Sequence, residues 1–134
     1  MPPRSMLEDL IRQVRHGSVA EKCLAADELQ KLGRQALAAS DVLVSALSDL
    51  GEQAESSVGL VGGVLVHRYV RESAVNALGK INPSAAPQLA LNVIAGLGGK
   101  QKFVFCDSSG IEERNVTFDH DVIAAFERAI STRG

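Results

Sequence analysis

Arg71–Glu72–Ser73–Ala74–Val75–Asn76–Ala77–Leu78–Gly79–Lys80–Ile81 decides the fold, because a degenerate copy of this stretch stands earlier in the chain. Ala25, Leu29 and Leu32 precede Ala74, Leu78 and Ile81 by a constant 49 residues. In both copies the apolar residues recur four and three apart, the period of one helix face. Each copy then runs into a small-residue break and a further apolar segment. A helix pair repeated at this scale predicts a stack of helical hairpins, since one pair cannot bury its apolar face alone.

The flanking sequence supplies the remaining helices. Met6, Leu7, Leu10, Ile11 and Val14 form one apolar stripe over Ser5–His16, with Ser5 as N-cap, Glu8 at the capping-box position and Gly17 as the stop. Ser18 and Glu21 form a second capping box, opening a helix with Cys23, Ala25, Ala26, Leu29 and Leu32 inward and Gly33 at its end. A third helix begins near Ser40–Asp41 and carries Val42, Leu43, Ala46, Leu47 and Leu50. The fourth covers about Tyr69 to Ile81 and ends at Asn82–Pro83, because proline cannot continue it. The fifth runs from Pro87 through Leu89, Leu91, Val93, Ile94 and Leu97 to Gly98–Gly99. The sixth starts around Asp119 and carries Val122, Ile123, Ala125, Phe126, Ala129 and Ile130.

Composition agrees with a single domain over 1–134. The chain has no Trp, few aromatics and much alanine, which suits helices packed through small residues better than a sandwich or barrel. A net charge of −2 with interspersed signs gives no basic stripe for nucleic acid. No apolar stretch approaches a membrane span and no signal-like segment follows Met1, so a cytoplasmic protein without membrane contact is expected. The sequon Asn115–Val116–Thr117 is then one in form only. Cys23 and Cys106 make neither a disulfide framework nor a CxxC pair.

Six helices in three pairs resemble the HEAT-repeat family, in its short bacterial form related to phycobilisome-lyase repeats. Residues 71–81 resemble the second helix of such a repeat, Glu21–Gly33 resembles another, and His120–Ile130 is a weaker third. The resemblance covers about two-thirds of the chain. It implies that second helices line a concave, partner-binding face, on which Arg71, Glu72, Asn76 and Lys80 would form a polar recognition row. Arg68 and Tyr69 stand just before that row, and a tyrosine beside arginines is a composition that interfaces enrich.

Two connections depart from the family pattern: Gly51–Arg68 and Gly98–Phe118 are much longer than the turn at His16–Gly17–Ser18. Both have hairpin chemistry. Val58–Gly59–Leu60–Val61 and Val64–Leu65–Val66–His67 flank Gly62–Gly63, a pair suited to a two-residue turn. Lys102–Cys106 and Glu113–Phe118 flank Asp107–Ser108–Ser109–Gly110, although Glu112–Asn115 is not strand-like. The expected fold is therefore mainly α, a short α-solenoid of about three helix pairs with β-hairpin insertions at about 58–67 and 102–118. The hairpins should emerge from one edge and pack together, exposing Leu65, Phe103, Phe105, Glu112 and Arg114 as an insertion surface.

Other motifs favour structural readings. Gly96–Gln101 lacks the first glycine and the Ser/Thr of a phosphate loop, and a helix precedes it. Asp107, Glu112, Glu113, Asp119, His120 and Asp121 have no metal-ligand register, while Asp119 and Asp121 suit a helix start. No metal and no cofactor are expected. The function that follows is non-catalytic protein binding by a small scaffold or adaptor, with a homodimer as a further arrangement. The alternative is a small enzyme or lyase-like chaperone acting on a bound chromophore or peptide through Cys106, Asp107 and His120. A third reading, a helical-repeat nucleic-acid binder, would need a basic concave face.

Overall fold

In the computed structural model, residues 4–57, 64–107 and 110–133 are described; 1–3, 58–63, 108–109 and 134 lie outside that set. The chain is mainly helical. Helices α1 (Arg4–His16) and α2 (Val19–Leu32) form a first pair, and a 3-10 segment (Gly33–Ala39) leads into α3 (Ser40–Ala46). Strands β1 (Glu52–Ser57) and β2 (Val64–Tyr69) make an antiparallel hairpin that feeds directly into α4 (Val70–Ile81). Helix α5 (Pro87–Gly96) is followed by a second antiparallel hairpin, β3 (Lys100–Asp107) with β4 (Gly110–Thr117), and then by α6 (His120–Arg133).

Capping chemistry sets several of these boundaries. The Ser18 hydroxyl accepts from the Glu21 amide while the Glu21 carboxylate accepts from the Ser18 amide, both at 3.2 Å, so the second capping box forms as predicted. Helix α1 starts one residue before the predicted cap, at Arg4, which places Ser5 inside it. Helix α3 is shorter than its pattern: it ends at Ala46, and Leu50 lies beyond it, 71% exposed. The 3-10 segment has no apolar periodicity to announce it. Asn82 ends α4 and donates its side-chain amide to Ser40 Oγ at 3.1 Å, tying the end of α4 to the start of α3. Gly98 (φ 71°) and Gly99 (φ 75°) adopt the left-handed conformation that ends α5, with the Gly99 amide bonded to the Ile94 carbonyl at 2.8 Å. A helix thus runs into a strand there, the reverse of a phosphate loop.

Both insertions are hairpins, and β2 lies against β3, so the two stand side by side as predicted. Hydrogen-bonded ladders run within each hairpin. The first hairpin corrects the predicted register. Ser57 opposes Val64, where the predicted two-residue turn would have set Val61 opposite it, so the strand paired with Val64–Tyr69 is the polar Glu52–Ser57. Val58–Gly63 themselves lie outside the described residues. The base of the hairpin fixes this register: the Val70 amide donates to the Gly51 carbonyl at 2.9 Å, one step below the Glu52–Tyr69 pair. In the second hairpin Asp107 opposes Gly110, and the weakly strand-like Glu112–Asn115 is recruited because it faces Phe105–Lys102.

The hairpins are built alike. Each spans 18 residues, 52–69 and 100–117, and each begins after a glycine and ends before a buried apolar residue, Val70 or Phe118. The Phe118 amide donates to the Gly99 carbonyl, repeating the Val70–Gly51 bond. The helices that follow repeat as well: Ala74, Leu78 and Ile81 of α4 correspond to Val122, Phe126 and Ala129 of α6, and all six are buried.

Helix α4 lies among α2, α3, α5 and α6 and buries most of its residues, from Val70 to Ile81. It meets α6 at Gly79, where a Cβ would come 2.8 Å from Val122 Cγ1. Gly79→Ala should therefore lower stability by about 1–3 kcal/mol in urea unfolding, despite alanine's better helix propensity. Pairing it with Val122→Ala should give a loss clearly smaller than the sum of the two single losses. Gly96→Ala, with open space around the added methyl, should instead be neutral or stabilising by up to about 1 kcal/mol.

Candidate partner-binding site at the start of alpha 4

The direct passage from β2 into α4 concentrates polar residues at one joint. Arg68, near the end of β2, reaches α2 and grips both carboxylate oxygens of Asp27, with Nη1–Oδ1 at 3.1 Å and Nη2–Oδ2 at 2.6 Å. Both side chains are largely shielded, the setting in which a two-pronged arginine–carboxylate pair is most effective. Tyr69 occupies the N-cap position of α4, and the Arg71 guanidinium stacks 4.5 Å from its ring centre.

Glu72 is the surprise of this joint. Its apolar neighbours in sequence, Val70, Ala74 and Val75, are core residues, and Glu72 is fully buried with them. Neither carboxylate oxygen has a hydrogen-bond partner among the described residues. Burial pushes its pKa up from 4.5 to about 7, opposed by the nearby Arg68 charge, the Tyr69 amide and Arg71. Next to it, Ser73 is buried with an unpartnered hydroxyl, close to the buried Cys23 thiol of α2, whose pKa burial also raises. A thiol in that environment is held protonated and unreactive.

These placements correct the predicted recognition row. Glu72 belongs to the core, Asn76 is half-buried and only Lys80 is exposed, so Arg71, Glu72, Asn76 and Lys80 do not form one accessible strip. A helical wheel could not detect this, because α4 is enclosed on nearly all sides. Arg68 is engaged with Asp27. Arg71 points instead into a groove of roughly 270 Å³ between the end of α3 and α5, lined also by Leu47, Leu50, Asn92, Val93 and Gly96. The pattern had assigned Leu50 and Val93 to helix interiors, and the early end of α3 is what released Leu50.

Of the insertion surface, Glu112 and Arg114 are exposed on β4 and bridge one another at 3.0 Å. The side chains of Leu65, Phe103 and Phe105 lie outside the described set. β4 is exposed at every position from Glu112 to Thr117, so neither face of it is covered there.

The residues of the enzymatic alternative do not converge. Cys106 and Asp107 pair with Ile111 and Gly110 at the tip of the second hairpin, whereas His120 follows its base at Thr117. Six strand steps separate the two ends, roughly 20 Å. Asp119 accepts from the Asp121 amide at 2.9 Å, the capping role expected of it. Among the described residues no His, Cys, Asp and Glu side chains group as a metal site, and no helix is long and apolar enough to cross a membrane. No family model, no curated protein and no solved structure matches the chain.

Glu72 predicts a specific pH dependence. Its folded pKa lies above its unfolded one, so its neutral form contributes stability that is complete below about pH 4.5 and lost as pH rises through about 7. Glu72→Gln keeps the shape without the charge. It should stabilise the protein at pH 8 by up to about 3 kcal/mol and flatten the decline between pH 4.5 and 7, as measured by denaturant unfolding at several pH values. Unchanged pH dependence in the variant would show that Glu72 is not the titrating group.

Proposed function

We propose that the protein is a non-catalytic protein-binding module, a small HEAT-like scaffold that takes a partner segment in the groove beside Leu50 and Arg71. The groove carries this reading. Leu50 is a large apolar side chain left 71% exposed, beside a partly apolar floor and an arginine–tyrosine stack. Arginine and tyrosine next to an apolar recess are the composition of interface hot spots.

Helix order supports the HEAT-like part. α4 packs against both α2 and α6, and α1 packs against α3, as in stacked helix pairs. The recurrence of buried positions between α4 and α6 supports it too. The face used differs from an exposed row of second helices, since α4 contributes its first turn and the seam between α3 and α5 contributes the rest.

The groove defines the partner's chemistry. An apolar side chain would rest on Leu47, Leu50 and Val93, followed by a carboxylate for Arg71. The Arg71 guanidinium stacks on Tyr69 yet meets no hydrogen-bond acceptor among the described residues. β4 stands clear of the helices and offers a second contact.

Affinity capture with matched baits tests this reading. The wild-type chain and Lys31→Ala, altered at an exposed site on α2, should retain the same partner. Leu50→Asp and Arg71→Glu should each reduce its recovery at least about tenfold, with far-UV circular dichroism unchanged. Equal recovery on all four baits would exclude the groove. If the occupant is a second copy of the chain, sedimentation velocity should show a dimer that Leu50→Asp converts to monomer.

A further inference from the structure

A second groove lies where the 3-10 segment, the α4–α5 turn and α6 meet, sharing no lining residue with the groove beside Leu50 and Arg71. It encloses roughly 390 Å³ and is lined by Arg34 from the first of these, Pro83 and Ser84 from the second, and Ala125, Arg128 and Thr132 among the residues of α6. No carboxylate lines it.

What sets these two arginines apart is that they line the same recess, since Arg15, Arg71, Lys80 and Lys100 also lack a carboxylate partner among the described residues. Arg12, Lys22, Lys31, Arg68 and Arg114 each pair with a carboxylate. Arg34 and Arg128 have no partner among the described residues, although the chain carries a net negative charge. Three separate segments therefore bring two unneutralised guanidiniums to one recess whose walls are part polar and part apolar. Like charges that line one recess repel, and a compact anion between them removes that repulsion while taking two-pronged hydrogen bonds from each. Ala125 and Arg128 lie along the flank of α6, and Thr132 in its last turn completes that wall. The Thr132 hydroxyl is committed to the Ala129 carbonyl, which leaves the guanidiniums as the principal donors.

We propose that this groove is a binding site for a phosphate monoester group, held between Arg34 and Arg128. Its size suits a small phosphorylated molecule or one phosphorylated side chain. The site is independent of the groove beside Leu50.

Titration of the full chain by calorimetry and by amide NMR tests the proposal, using inorganic phosphate and a short phosphoserine peptide, with sodium chloride at matched ionic strength as reference. Phosphate should bind once, saturably, with Kd about 1 mM or tighter, and shift amides around residues 34, 84 and 128. Arg34→Gln and Arg128→Gln should each weaken it at least about tenfold, and both positions are exposed, so the fold should persist. Tighter binding of the peptide than of phosphate identifies a phosphorylated side chain as the ligand; equal binding identifies a free small molecule. A response that chloride reproduces, or binding that survives both substitutions, overturns the proposal. So does a loss of stability in the variants without phosphate binding by the wild type, which would mean that the arginines serve only to neutralise nearby helix ends.

Discussion

Because Gly79 has no side chain, Val122 of α6 rests directly against the backbone of α4, the helix around which α2, α3, α5 and α6 gather. Enclosed in this way, α4 has little surface left for solvent. The core is filled mainly by alanine and leucine, with Phe118 and Phe126 as its largest members. Small residues let helix axes come near, and near axes are what a chain poor in aromatics needs to reach interior packing density.

Enclosure also explains the polar joint at the start of α4. A helix buried on one face can carry charges on the other, but α4 has almost no other face. Glu72 is therefore drawn inside with its neighbours, and the cations around it are already engaged, Arg68 by Asp27 and Arg71 by the Tyr69 ring. A buried carboxylate without hydrogen bonds favours its neutral form. Lys22 and Asp49 show the opposite regime. Their 2.7 Å ion pair joins α2 to the segment after α3, and that hydrogen bond holds the Asp49 carboxyl below its ordinary pKa.

Local patterns made the helices legible in the sequence. Ser18 and Glu21, Asn82 with Pro83, and Gly98–Gly99 mark ends by chemistry that acts within a few residues, and the structure keeps all of them. The presence of two hairpins was legible for the same reason. Their register was not. Glu52–Ser57 is a weak strand former by composition, yet it pairs with Val64–Tyr69 because the pairing is set from the base, where the chain enters and leaves the helical frame. The burial of Glu72 and the release of Leu50 depend on which helices enclose α4 and where α3 stops, and periodicity along one helix carries neither. The convergence of Arg34 with Arg128, 94 positions apart, is likewise a product of tertiary packing.

The matched bases of the two hairpins have a consequence for how this chain tolerates change in length. Each hairpin is closed where it meets the helices, by the Gly51–Val70 and Gly99–Phe118 bonds, and a change in the length of its tip leaves those bonds in place. Closing a longer tip adds entropy only logarithmically, about 0.6 kcal/mol for each doubling. Residues can therefore be gained or lost at either tip while the helices keep their positions, and the two 18-residue hairpins become ports through which new surface can be added without renegotiating the core.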